Sequence, residues 1–286
     1  MKGLTFLGSE PFFLLLFPFL YWCLDSRLGL RLALITFLSG YLNHALKQAF
    51  AQPRPFTLAP GIDLVREYGY GLPSGHAQGA VVLWGLLAWQ ARRRWVWVPA
   101  AALMLAVGVS RVYLGVHFPT DVLGGWLAGA LLLAASIAAL KWLSGRSLKL
   151  PWWAWLPAVS LLAALALLAF SDSQAAAMVA ALWGFAVGYL LRRRFFPDGE
   201  GGTVPQRLLR LPLGLVVLLG LYLGPRALFP ASGGAWYLGL RFPRYALVGL
   251  WAALGAPLLF RWVGLAPSGD PRAPGGPGAG SAGPSI

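Results

Sequence analysis

Nine apolar runs, each close to the roughly twenty residues that a helix needs to cross a bilayer, occupy most of this chain. They fall at about 9–24, 28–46, 74–91, 95–112, 121–140, 151–170, 174–191, 211–229 and 243–263, the first being the shortest. With 58% hydrophobic residues and only 11% charged, the chain lies far from a soluble domain, where charged residues make up about a quarter. An all-α, polytopic membrane protein is therefore expected. The runs contain small residues such as Gly124, Gly125 and Gly129, which membrane helices use to approach one another closely.

The formal net charge of +14 would point a soluble protein toward nucleic acid. Here the basic residues sit in short clusters between apolar runs, as the positive-inside rule places them, and no nucleic-acid partner is expected. Arg27 and Arg31, Arg92 to Arg94, Lys141 with Arg146 and Lys149, and Arg192 to Arg194 with Arg207 and Arg210 all fall on one side of a nine-span chain. If that side is cytoplasmic, the loops at 47–73 and 230–242, the short loop around Ser171, Asp172 and Ser173, and the stretch at 110–120 face outward. The amino terminus shows no small-residue cleavage site, so the first run is expected to remain as an anchor in the cell membrane. Cys23 is the single cysteine, which excludes a disulfide within the chain and any cysteine metal cage, and its place in an apolar run reads as a buried small hydrophobe.

Residues 1–170 read as a catalytic membrane unit, 171–263 as additional membrane helices and 264–286 as a disordered tail of Pro, Gly, Ala and Ser. A second linker-like stretch, 198–205, precedes the last two runs.

Polar chemistry collects at one membrane rim. Ser110 to Asp121 places Arg111, His117 and Asp121 between two apolar runs, where charge is costly and a function is the default reading. Asp121, after Pro119 at a helix start, can accept a hydrogen bond from His117. Lys47 and Arg54 bring two cations to the same rim; alone they would read as lysine and arginine snorkelling to head groups. Ser74 stands in a helix-capping position, followed by Gly75 and His76, so the start of that run presents backbone donors to an anion. His44, one turn before Lys47, has no motif partner and reads as structural.

Three cations, a helix-start nest, two histidines and one carboxylate fit phosphoryl transfer through a phosphohistidine. His117 would attack phosphorus with its other nitrogen held by Asp121, and His76 would protonate the leaving oxygen and then activate water. Metal-dependent hydrolysis needs a cluster of carboxylates or histidines. Asp121 with the loop residues Asp63 and Glu67 does not make one, so no metal or other cofactor is expected.

The spacing from Lys47 to Arg54, then Pro73 to His76, then Ser110 through His117 to Asp121 resembles the three-part signature of the type 2 phosphatidic acid phosphatases, membrane relatives of vanadate haloperoxidases. Every position of that signature is filled. The resemblance covers about residues 9–140 and implies a six-helix membrane core, here with about three additional helices. It also implies metal-independent hydrolysis of a lipid phosphate, with Lys47, Arg54, Ser74, Gly75 and Arg111 on the phosphate, His76 as acid and base, and His117 as nucleophile. The family's lipid substrates include phosphatidic acid, phosphatidylglycerophosphate and undecaprenyl diphosphate. An outward rim opposite the basic face favours the polyprenyl diphosphate first and a phosphatidate-type lipid second. A non-catalytic lipid-binding or transport protein on the same fold is the competing expectation, although such a protein would be expected to have lost a rim residue. Haloperoxidase chemistry fits poorly with nine apolar runs.

Overall fold

The computed structural model describes residues 1–144, 146, 151–170, 172–196, 201–228 and 235–267, which contain helices and no strand. Short α1 (Lys2–Phe6) leads to α2 (Glu10–Pro18), which widens into a π turn over Phe19–Leu24. The carboxylate of Asp25 caps α3 (Ser26–Phe50), accepting from the N–H groups of Arg27 at 2.7 Å and Leu28 at 2.9 Å. A loop containing short α4 (Pro55–Leu58) reaches α5 (Gly75–Ala91), followed by α6 (Trp97–Tyr113), α7 (Pro119–Leu143) and α8 (Trp152–Ala169). Then come α9 (Ser173–Phe195), α10 (Val204–Leu228) and α11 (Ala235–Leu250), the last running through a π turn at Trp251–Gly255 into α12 (Ala256–Trp262).

Each of the nine expected runs coincides with a helical stretch, yet only six stretches among the described residues are long and apolar enough to cross a membrane: Arg94–Tyr113, Pro119–Leu143, Trp152–Ala169, Ser173–Phe195, Val204–Gly224 and Leu240–Trp262. Pro11–Leu24 is apolar but shorter. The 17-residue α5 is also short, and α3 carries Ser39, Asn43 and His44 buried in the bundle, which lowers its hydropathy without exposing polar atoms to lipid. The loop expected at 230–242 is partly helix, since α11 begins at Ala235 and holds Pro243 inside it. A proline removes one backbone donor and disturbs one turn, which neighbouring membrane helices can compensate. Lys149, Ser171, residues 229–234, the 198–200 part of the linker and the 268–286 part of the expected tail lie outside the described residues.

Backbone contact at small residues sets the packing. A Cβ on Gly125 would lie 2.6 Å from the carbonyl oxygen of Ser74, and one on Gly129 would lie 2.8 Å from that of Gln78, so α7 touches the backbone of α5 directly. The additional helices α9 to α11 are closed the same way, because a Cβ on Gly249 would collide with the Ala181 carbonyl oxygen where α11 crosses α9. The additional helices meet the first part of the chain at α2 and its π turn: Trp22 donates its indole N–H to the Ala252 carbonyl at 2.8 Å, and Arg210 donates to the Trp22 carbonyl at 3.0 Å. Cys23 is buried beside them. α8 has no buried residue and is held by Tyr41, whose hydroxyl donates to the Ala166 carbonyl at 2.7 Å, and by Trp183, whose indole N–H donates to Ser160 at 3.0 Å.

Candidate active site

The end of α3, the 59–74 loop, the start of α5, the end of α6 and the start of α7 converge on one point. Pro119 opens α7 with its preset φ, and Asp121 in the first turn folds back so that Oδ2 accepts the Phe118 N–H at 3.0 Å. The same oxygen lies 3.1 Å from Nδ1 of His117. Both side chains are almost fully buried. With Nδ1 donating to a carboxylate, the proton is fixed there and Nε2 keeps its lone pair. That nitrogen faces Nη1 of Arg54 at 3.3 Å. Burial is the main cause that pushes the His117 imidazole down to about 4; Arg54 and Lys47 add to it against the support of Asp121, so the ring is neutral at neutral pH.

The two arginines of the rim meet on one carboxylate. Glu67 Oε2 accepts from Nη1 of Arg54 at 2.8 Å, and Oε1 pairs with Nη2 of Arg111. Arg111 is 1% exposed and also donates to the Thr5 hydroxyl at 2.5 Å. Burial alone would raise the Glu67 carboxyl, but Arg111, then His76, Arg54 and His117, hold it at about 2. An oxyanion bracketed by two guanidiniums beside an unprotonated imidazole nitrogen has the electrostatic surroundings that a phosphate requires.

Ser74 caps α5, its hydroxyl oxygen 3.5 Å from the Ala77 N–H, and its own N–H donates to the Asp121 carbonyl at 2.8 Å. That bond ties the helix-start nest to the His117 segment. Gly75 and His76 form the first turn of α5. The carboxamide of Asn43 sits so close to Gly75 that a Cβ there would lie 2.9 Å from its oxygen. Asn43 in turn donates to the Pro73 carbonyl at 3.2 Å and to Gln78 at 2.9 Å, and Gln78 donates to the Ser39 carbonyl at 2.9 Å. This buried network fixes the start of α5 from beneath. The His76 ring makes no hydrogen bond among the described residues and lies against Gly8.

The loop over the site is stitched down by the cations themselves. Lys47 donates to the carbonyls of Tyr70 and, at 3.0 Å, Gly71; Arg54 donates to those of Gly69 at 2.9 Å and Tyr68 at 3.2 Å. Backbone bonds from Leu64 to Leu114 (3.0 Å) and from Gly71 to Gln52 (2.8 Å) anchor both of its ends. Gly71 runs so close to Asp121 that a Cβ would lie 2.9 Å from Oδ2.

All eight sequence-derived residues, Lys47, Arg54, Ser74, Gly75, His76, Arg111, His117 and Asp121, are thus brought to this rim by segments that contact one another. Glu67 and Thr5 were not singled out as partners of the arginines, and Asn43 and Gln78 were missed although a carboxamide within an apolar run is itself a signal. His44 does have a partner: its Nε2 lies 2.5 Å from Asp172 Oδ2, joining α3 to the cap of α9 and fitting its structural reading. Among the described residues no group of three or more His, Cys, Asp or Glu side chains is placed to hold a metal ion.

Two family models match: the PAP2 superfamily over residues 28–145, and the PAP2 superfamily phosphatase transmembrane extension over 176–268. Phosphatidylglycerophosphatase B of Bacillus subtilis (strain 168) is 34% identical over 145 residues, covering 46% of this chain and 70% of that protein. Undecaprenyl-diphosphatase of Sulfolobus acidocaldarius is 36% identical over 110 residues, covering 36% of this chain and 51% of that protein. The chain thus spans about half of the second relative's length. The crystal structure of a transmembrane PAP2-type phosphatidylglycerolphosphate phosphatase from Bacillus subtilis aligns over 52% of this chain and 77% of its own, at 29% identity and a TM-score of 0.45.

Proposed function

Because the chain belongs to the PAP2 superfamily, we propose that it is a membrane phosphatase that hydrolyses a lipid phosphate or diphosphate through a phosphohistidine on His117. One observation carries this reading: Arg54 and Arg111 converge on a single oxyanion, the Glu67 carboxylate, beside Nε2 of His117. The substrate phosphate takes the place of that carboxylate, with Lys47, Ser74 and Gly75 completing its cradle. Nε2 forms the N–P bond as the lipid oxygen leaves, and His76 supplies the proton to that oxygen. Asp121 stabilises the imidazolium character that develops on His117. Water, deprotonated by His76, then breaks the N–P bond and inorganic phosphate departs. The group transferred needs clamping more than covalent help, which is what a rim of fixed cations supplies.

A site at the ends of membrane helices favours a phosphate that lies at head-group depth. The relatives named for phosphatidylglycerophosphate and undecaprenyl diphosphate support a lipid of one of these kinds. The basic loops at the opposite ends of the helices support an outward-facing site, and polyprenyl diphosphate is accordingly the first substrate to try, a phosphatidate-type lipid the second.

Purified protein in detergent with excess chelator, given both lipid diphosphates and lipid monophosphates, is expected to release inorganic phosphate and to form an acid-labile phosphoenzyme. His117→Ala is expected to abolish both. Activity that disappears with chelator, or that survives in His117→Ala, overturns the proposal.

A further inference from the structure

A cavity of about 450 Å³ opens from the rim and runs between the core and the extension. Lys47, Gly75 and His76 line it at the site, so it is continuous with the place where phosphate chemistry is expected. Phe13, Phe17 and Phe37 form its core wall, contributed by α2 and α3. Met178 and Phe185 of α9, Leu218 of α10 and Val248 of α11 form the other. The polar side chains that line it, among them Asn43, His44, Gln174 and Arg241, belong to the same helices as this apolar body. A volume in the range of small-ligand sites, apolar along its walls and reaching Lys47 and His76 at one place, has the amphipathic layout of a single-chain lipid.

We infer that this cavity holds the hydrocarbon chain of the lipid whose phosphate the rim takes, and that the extension serves to wall it. The inference rests on the phosphatase reading of the rim. It gives α9, α10 and α11 a task that the rim chemistry does not require: they turn what would be a bilayer-facing side of α2 and α3 into one wall of a cavity between helices. Direct backbone contact between α9 and α11 at Gly249 makes the outer wall continuous there. The His44–Asp172 pair fastens α9 to α3 beside the lining residues Lys47 and Gln174. A lipid held in this way presents its head group to His76 and Lys47 while its chain lies against protein instead of neighbouring lipids.

The test compares hexadecyl phosphate with butyl phosphate, and the matching diphosphates, on the wild-type protein and on Met178→Trp, which narrows the cavity from the extension side without touching the rim. The expected result is a loss of at least tenfold in kcat/KM for the hexadecyl compounds with the butyl compounds changed less than twofold. Equal loss for both, or no loss for either, overturns the inference. A second measurement does not depend on the variant folding: hexadecyl phosphate carrying a diazirine near the end of its chain is photolysed on the wild-type protein. Labelling is expected on α9 and α11 around Met178, Phe185 and Val248. Labelling confined to outward residues such as Leu161 and Leu165 of α8, which are 60% and 52% exposed, overturns the inference. If the wild type releases phosphate from none of the compounds, the phosphatase reading fails, and the labelled positions still decide where the chain binds.

Discussion

Nδ1 of His117 and Oδ2 of Asp121 stand 3.1 Å apart across the first turn of α7, both shut away from solvent. The carboxylate therefore decides which imidazole nitrogen is protonated, since Oδ2 can only accept. Because Oδ2 serves both His117 and the Phe118 N–H, Asp121→Asn either leaves a neutral amide oxygen there, without the charge that would stabilise a phosphorylated imidazolium, or turns an amide donor toward Nδ1, which loses the Phe118 acceptor and moves the proton to the nitrogen proposed to bond phosphorus. The expected outcome is a fall in kcat of about 10²–10⁴-fold with KM little changed, because Asp121 does not meet the phosphate. Single-turnover phosphoenzyme formation measures it directly.

With His117 as the proposed nucleophile, its imidazole, pushed down by burial to about 4, is expected to set an acid limb at unusually low pH. Once corrected for ionisation of the substrate phosphate, kcat/KM is expected to fall as pH drops through about 4, not through the ordinary imidazole value near 6.5. Stability moves in the same direction. A histidine whose folded pKa lies below its unfolded one binds fewer protons when folded, so its contribution is full above 6.5 and declines as pH falls toward about 4. Glu67, depressed from 4.5 to about 2, loses its stabilising contribution as pH falls across that interval. Thermal unfolding in detergent between pH 7 and pH 3 reads the combined loss.

Glu67 pairs with both arginines, and on the proposed reading the substrate phosphate must displace it from them. Replacing it with glutamine keeps its size and removes its charge, so phosphate displaces a weaker partner. Glu67→Gln is expected to lower KM, and to lower the inhibition constant of orthovanadate, by roughly tenfold, the size of about 1.4 kcal/mol or one charge-assisted hydrogen bond. A rise in both constants would mean instead that the carboxylate is needed to hold Arg54 and Arg111 in place.

The outward orientation is open to a labelling experiment, helped by the burial of the single cysteine, Cys23, at 3% exposure. Arg66→Cys on the loop over the site is expected to react with a membrane-impermeant maleimide in intact cells, whereas Arg93→Cys and Arg193→Cys react only after lysis. The reverse pattern turns the rim toward the cytoplasm and removes the preference for an externally exposed polyprenyl diphosphate while leaving the chemistry untouched.

The helices were legible because hydrocarbon demands length and apolarity, and both are written in the run from Pro119 to Leu143. The rim was legible because charge among apolar runs is rare and because Ser74 and Pro119 mark helix starts. What was hidden came from tertiary approach. Glu67 lies in a loop of ordinary polar composition, and only folding brings its carboxylate onto Arg54 and Arg111. Thr5 reaches Arg111 from more than a hundred residues away, from a helix too short for a hydropathy pattern to register. The docking of the extension hangs on Tyr21 and Trp22 in a π turn, whose changed periodicity re-aims side chains that an α-helical pattern would have placed elsewhere.

The stitching of the 59–74 loop at Leu64 and Gly71 has a kinetic consequence. A flap fastened at both margins is held against swinging aside as a lid, so on the proposed reading phosphate enters by displacing the Glu67 side chain from the two arginines. On the proposed reading, turnover then waits for no swinging lid on the aqueous side of the rim.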